Sequence, residues 1–209
     1  MLPSGHPLPG GSLTMTTTSA SAASTCSIDP TSGYRAVDER LARTTDERKR
    51  TLLSVLRDHL YAECTKDFPL LLSTLSDDPD YKFWIDGAGF GAGPKGIGAV
   101  TAHYENLYAE NRNVCDYRIE RIIVDDQDDI IVTEGWFDQV FPGRVLASRG
   151  ATIDDPDAAY AIRLRLLLIW PFGPDGKLIG EDSYANGTMY APENIRKLAP
   201  DEIPAVYFA

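Results

Sequence analysis

Three side chains stand where proton chemistry is plausible: Asp86, His59 and Asp182. Asp86 ends the strand-like stretch YKFWID, with Trp84 and Phe90 close by in sequence. A carboxylate walled by aromatic rings loses hydration, which raises its pKa and makes it a competent general base near neutral pH. Asp86 also precedes Gly87, a common turn pair, so a turn role accounts for the same residue. His59 falls beside Leu56 and Leu60 on the apolar side of a predicted helix. There it either donates to a backbone carbonyl as an ordinary buried histidine or polarises a substrate carbonyl from the interior. His103 borders a second apolar stripe with Tyr104 and Leu107, where packing or a surface position is the simpler reading. Asp182, Tyr184 and Asn186 alternate on one face of the last strand and form a polar patch opposite Asp86 if that face is concave. Tyr117 and Trp136 complete an aromatic set that is either core or the wall of a pocket for an apolar, ring-containing ligand.

One motif points elsewhere. Residues 91–96, GAGPKG, satisfy G-x-G-x-x-G. In a dinucleotide loop the first glycine turns directly out of a buried parallel strand and the following helix N-terminus meets the pyrophosphate. Gly91 lies beyond the strand end, Pro94 removes an N–H from the cradle, and no helices alternate with the later strands. Nucleotide binding is therefore not expected.

The elements that must position these residues follow from periodicity. Leu52, Leu53, Leu56, Leu60 and Cys64 recur at helical spacing with ERKR opposite, and Thr44 with Glu47 offers a capping box. Asp67 caps a short helix, FPLLLSTL; residues 81–86 read as a strand and 97–110 as a third helix. From there the runs CDYRIERIIVDD, DDIIVTEGWFDQVF, GRVLASRG, AAYAIRLRLLLIWPF and KLIGEDSYANG are strand-like and separated by turns. Helices first and strands after predict an α+β fold, a meander with helices on one face. In YAIRLRLLLIW the residues from Tyr160 to Trp170 at even positions share one face, toward the helices. Arg163 and Arg165 take the other, pairing with Glu134 and Asp138; the reversed register would instead line the pocket with arginines and favour an anionic substrate.

Composition narrows the partners. The chain has 209 residues, 43% of them hydrophobic, and a formal net charge of -11, which disfavours nucleic acid and anionic membranes. Residues 1–33 read as a low-complexity tail without signal-peptide character, with Met15 an alternative start; 34–190 form one domain and 191–209 a Pro-broken extension. Cys26, Cys64 and Cys115 are scattered and odd in number, suggesting neither a zinc site nor a disulfide framework, and a cytoplasmic setting. No metal or other cofactor is expected.

The helix ending AECTKDFPLLLSTLSDD, the strand YKFWIDGAG, the helix KGIGAVTAHYENLY and the hairpin LIWPFGPDGKLIGEDSYAN together resemble the nuclear transport factor 2-like superfamily. The likeness is to its SnoaL-like branch of polyketide cyclases and ketosteroid isomerase, and covers about residues 52–187. The resemblance implies a cone-shaped, strongly bent antiparallel or mixed sheet around a long N-terminal helix, open onto an apolar pocket, and a homodimer through the outer sheet face. It implies Asp86 as general base, with the oxyanion-hole tyrosine falling on His59 and Tyr61 two residues away; the isomerase's later-strand acid falls near Leu168. The cyclase acid has Asp182 as its nearest counterpart. On this reading the chain is a cofactor-free enzyme for isomerisation, cyclisation or dehydration of a hydrophobic, oxygenated substrate. Asp86 abstracts the proton while His59 or Tyr61 stabilises the enolate or donates to a leaving hydroxyl. A non-catalytic dimeric pocket protein, binding a small ligand or another protein, is the alternative.

Overall fold

One long helix sets the geometry. In the computed structural model, which describes residues 27–208, α1 (Ser32–Ala42) leads into the 19-residue α2 (Glu47–Thr65). Asp46 caps α2, its carboxylate accepting from Lys49 N at 2.9 Å. The cap thus sits two residues later than the sequence suggests, because Thr44 Oγ1 donates to Arg40 O at 2.8 Å and closes α1 instead. Leu52, Leu53, Leu56, His59, Leu60 and Cys64 are buried along one stripe of α2. Asp67 then caps α3 (Phe68–Ser73), accepting from Leu70 N at 3.1 Å. Part of the segment expected as tail is packed: Ile28 is buried in a cluster with Val114, Val140 and Ala159. Residues 1–26, with Cys26, lie outside the described residues.

The sheet comprises β1 (Leu75–Asp86), β2 (Cys115–Asp125), β3 (Ile130–Pro142), β4 (Ala159–Pro171), β5 (Leu178–Thr188) and a short β6 (Ile195–Lys197). Its order is β1-β5-β4-β3-β2, with β6 on β4. Strands β2 to β5 pair antiparallel, while β1 runs parallel to β5, so the sheet is mixed. Two further helices are α4 (Ile97–Ala109) and α5 (Gly143–Ser148). The core joins α2 leucines, Val100 and Tyr104 of α4, Tyr81 and Ile85 of β1, and Leu166, Leu168 and Trp170 of β4. The helices therefore cover one face of the sheet, the α+β cone expected. No described helix is long and apolar enough to cross a membrane.

Two local expectations fail for physical reasons. The stretch GRVLASRG is α5, not a strand: Pro142 ends β3, and Arg, Leu and Ala favour a helix once the ladder stops. The SDDPD stretch lies inside β1 rather than in a turn. The glycine loop folds back on β1. Gly91 N donates to Phe83 O at 2.7 Å, Gly96 N to Pro79 O at 2.8 Å, and Tyr81 N to Pro94 O at 3.0 Å. Two of its amides are thus engaged by the neighbouring strand rather than aimed at a phosphate.

Candidate active site

Between α2, α4 and the concave face of the sheet lies a cavity of about 410 Å³, a size suited to a small organic molecule. Leu60, Phe83, Ile85, Phe137, Leu164 and Leu166 supply apolar wall. Into this wall project two carboxyl groups, Glu63 of α2 and Glu181 of β5. Glu63 follows His59 by four residues and Leu60 by three, so the stripe that builds the core also delivers it to the lumen. Both are half-buried, with protein around them and an edge toward the cavity.

Their electrostatics differ from those of surface acids. Burial lifts Glu63 to about 8, with a further push from the negative charge of Glu181. Burial likewise lifts Glu181 to about 7; the Ser183 hydroxyl, donating to Oε1 at 2.5 Å, opposes this, and Asp182 adds to it. Two acids on one lumen are thus tuned to exchange protons near neutrality.

From the wall at Tyr81 and Tyr104 into the core runs a chain of hydroxyls whose polarity the geometry fixes. Thr74 Oγ1 donates to Leu71 O at 2.6 Å, so its oxygen must accept from His59 Nδ1 at 2.8 Å. Burial lowers His59 to about 4, which leaves the ring neutral and its Nε2 an acceptor, filled by Tyr104 OH at 3.0 Å. Tyr104 has then used its proton, and Tyr81 OH donates to it at 3.1 Å. His59 is fully buried and is the middle of this chain, not a lumen group.

Of the residues singled out in the sequence, His103, Tyr104 and Tyr117 line the cavity. Burial and then Arg112 lower His103 to about 4, and its ring lies 5.4 Å from that of Phe83. Tyr117 OH donates to Thr133 Oγ1 at 2.9 Å. The others lie outside. Asp86 is exposed, accepting from Thr188 Oγ1 at 2.6 Å. Trp84 stacks on Tyr184 with ring centroids 6.1 Å apart on the opposite face of the sheet, and Phe90 is 73% exposed. Asp182 pairs with Lys82 at 3.7 Å, Asn186 Oδ1 accepts from Arg165 N at 2.7 Å, and Arg165 covers the half-exposed Trp136. Tyr61 is exposed, edge-on to Tyr34.

The physical reason is strand parity. On β1 the inward residues are Tyr81, Phe83 and Ile85, so Trp84 and Asp86 must point outward. On β5 the inward set switches midway. Phe172 pairs with Leu178 and Ile169 with Asp182, three steps on β4 against four on β5, so one residue is inserted near Gly180. Leu178 is inward before this bulge, and Glu181 and Ser183 are inward after it. Unbroken alternation from Leu178 would have delivered Asp182 and Tyr184. Glu63 carried a signal, its place on the α2 stripe; Glu181 carried none that an uninterrupted period could reveal. Cys64 and Cys115, remote in sequence, also meet in the wall, with sulfurs 3.8 Å apart.

Neither a protein-family profile nor a curated protein matches this chain. Solved structures do. A protein described as a SnoaL-like polyketide cyclase from Shewanella putrefaciens superposes with a TM-score of 0.54 at 10% identity, over 71% of this chain and 86% of that one. RV0760c from Mycobacterium tuberculosis gives 0.51 at 13% identity, over 74% and 99%. A second protein of SnoaL-like description, from Shewanella denitrificans, gives 0.50 at 15% identity, over 65% and 90%. At such identities the likeness is one of architecture. The chain has the nuclear transport factor 2-like cone fold of the SnoaL-like proteins.

Proposed function

We propose that this chain is a cofactor-free enzyme that moves a proton on an apolar, oxygenated small molecule, in an isomerisation, cyclisation or dehydration. One observation carries the reading: two half-buried carboxyl groups, Glu63 and Glu181, share a cavity with apolar walls, and their pKa values are lifted to about 8 and about 7. At neutral pH Glu181 is ionised in a substantial fraction of molecules and is the base; Glu63 is mostly protonated and donates to the substrate oxygen. The Tyr81–Tyr104–His59 chain stiffens the wall behind them. SnoaL-like description of the structural neighbours supports the reaction class. Asp86, Tyr61 and Asp182 have no part in it, since they lie outside the cavity.

The test is deuterium exchange. In deuterium oxide, with a panel of ring-containing ketones and β-hydroxyketones, the wild type is expected to label the carbon next to the carbonyl of at least one compound. Glu181→Gln should lose the labelling and Asp86→Asn should keep it. Labelling that survives Glu181→Gln, or none with any compound, overturns the proposal. A second reading, ligand binding without turnover, is favoured by the hydroxyl chain, whose protons all point into the protein. The outer sheet face, with Trp136 and Ile123 exposed at 40% and 61%, is the proposed contact with a second copy; Trp136→Glu should then convert a dimer to a monomer in sedimentation.

A further inference from the structure

Arg112 and Arg149 also line the cavity. Arg112 Nε and Arg149 Nη2 each donate to the same atom, Glu110 Oε2, at 2.6 Å. Against the upward push of burial, these bonds hold Glu110 below the usual carboxylate range, so it is ionised. Two guanidiniums and one carboxylate leave one positive charge in excess. Arg112 is fixed further: Nη2 donates to Asn106 Oδ1 at 3.1 Å, and the guanidinium lies 5.8 Å from the Phe141 ring centre. Neither arginine is among the groups that shift Glu63 or Glu181, whereas Arg112 does depress His103. The lumen is therefore bipolar, with an acid pair in one part and a cationic group in another. In a chain of net charge -11, a preorganised cationic spot in a cavity with apolar walls is a receptor for an anion.

We propose that the ligand of this cavity is an amphiphilic monoanion, with an apolar ring body against the leucine and phenylalanine wall and one carboxylate- or sulfonate-class group on Arg112 and Arg149. The proposal rests on the cavity being the ligand site argued above. It differs from the arginine-lined pocket of a reversed β4 register, since Arg163 and Arg165 face away from the cavity in ion pairs with Asp138 and Glu134.

Two fluorescent probes that differ only in charge test it: anilinonaphthalene sulfonate and its sulfonate-free counterpart phenylnaphthylamine. Arg149→Gln is the variant of choice, because Arg149 is the more exposed of the two arginines. It should weaken the sulfonate probe ~tenfold and leave the neutral probe within ~twofold. Glu110→Gln, which raises the excess charge, should tighten the sulfonate probe alone. Ala88→Trp, filling the cavity from the loop after β1, should exclude both. Equal weakening of both probes by Arg149→Gln, no weakening of either, or sulfonate binding that persists in Ala88→Trp overturns the proposal. Because the exchange assay reads proton transfer and this one reads charge recognition, an anion-blind cavity that still exchanges deuterium sinks only the present inference. Arginine-dependent binding without exchange sinks only the catalytic reading.

Discussion

Glu63 on α2 and Glu181 on β5 face one lumen closely enough that the charge of Glu181 raises the pKa of Glu63. In the unfolded chain both carboxyls ionise near 4.5, against about 8 and about 7 in the folded protein. Between those values the folded state holds more protons, so stability falls as pH rises, by up to ~1.4 kcal/mol per pH unit for each group. His59 and His103 act in the opposite sense. Burial lowers both from 6.5 to about 4, so the unfolded state is the more protonated in that window and stability rises with pH. The two pairs oppose one another between 4.5 and 6.5, and only the carboxyls remain active from 6.5 to 8. Urea midpoints should therefore change little in the lower window and decline in the upper one. The Glu63→Gln, Glu181→Gln double variant should lose the decline. A wild type that grows more stable from 6.5 upward contradicts the assignment.

The direction of the hydroxyl chain yields a second expectation. Tyr104→Phe removes the donor to His59 Nε2 among the described residues and leaves a buried acceptor unpaired, which costs about 1–3 kcal/mol. Tyr81→Phe removes the terminal donor, while Tyr104 keeps its bond to His59, so the loss is the smaller ~0.5–1.5 kcal/mol of one hydrogen bond. Chemical denaturation of the two variants orders them. Equal losses, or a larger loss for Tyr81→Phe, would mean that the chain runs the other way.

Much of this architecture is legible because its periods are unbroken. From Ile162 to Pro171 the residues of β4 alternate between buried and less buried, so the inward leucines and the outward arginines follow from sequence; Arg163 meets Asp138 at 2.8 Å and Arg165 meets Glu134 at 2.7 Å. The α2 stripe is legible for the same reason, and Glu63 stands on it. The candidate site on β1 and β5 was not. Asp86 sits in an attractive aromatic stretch, but the parity fixed by Tyr81 and Ile85 turns it outward. Glu181 is brought inward by a bulge that depends on how β5 pairs with its neighbouring strands, and an uninterrupted period along β5 carries no trace of it.

Gly180 makes this dependence testable. A Cβ built there would lie 2.2 Å from Asp80 O on the parallel strand, so β1 and β5 can approach as they do only around glycine. Gly180→Ala must push the strands apart at the bulge that orients Glu181. We expect a stability loss of about 2–3 kcal/mol, and in variants that still fold, weakened binding of both naphthyl probes. Gly150→Ala is the control, since it also replaces a glycine but its Cβ would meet nothing; its backbone at φ +84° makes a loss of about 1–2 kcal/mol from the left-handed conformation alone the expected result. A Gly180→Ala protein as stable as wild type would mean that the bulge is not held by this contact.

The outer face of the sheet supplies the last expectation. Asp138 is 2% exposed and accepts from Arg163 Nε and Nη2 at 2.8 and 3.0 Å, and from Arg118. A carboxylate so placed is stabilising only while guanidiniums face it; Asp138→Ala removes the acceptor that Arg118 and Arg163 share across β2, β3 and β4. Arg163→Ala keeps Asp138 paired to Arg118 and removes a side chain that is itself 49% exposed, so solvent already screens much of its attraction. Asp138→Ala should therefore cost about 1–3 kcal/mol and Arg163→Ala less than about 1 kcal/mol. In the double variant the losses should fall short of their sum, because each substitution alone already removes the same ion pair. Strictly additive losses in a double-mutant cycle would show that Asp138 draws its stability from burial alone and not from Arg163.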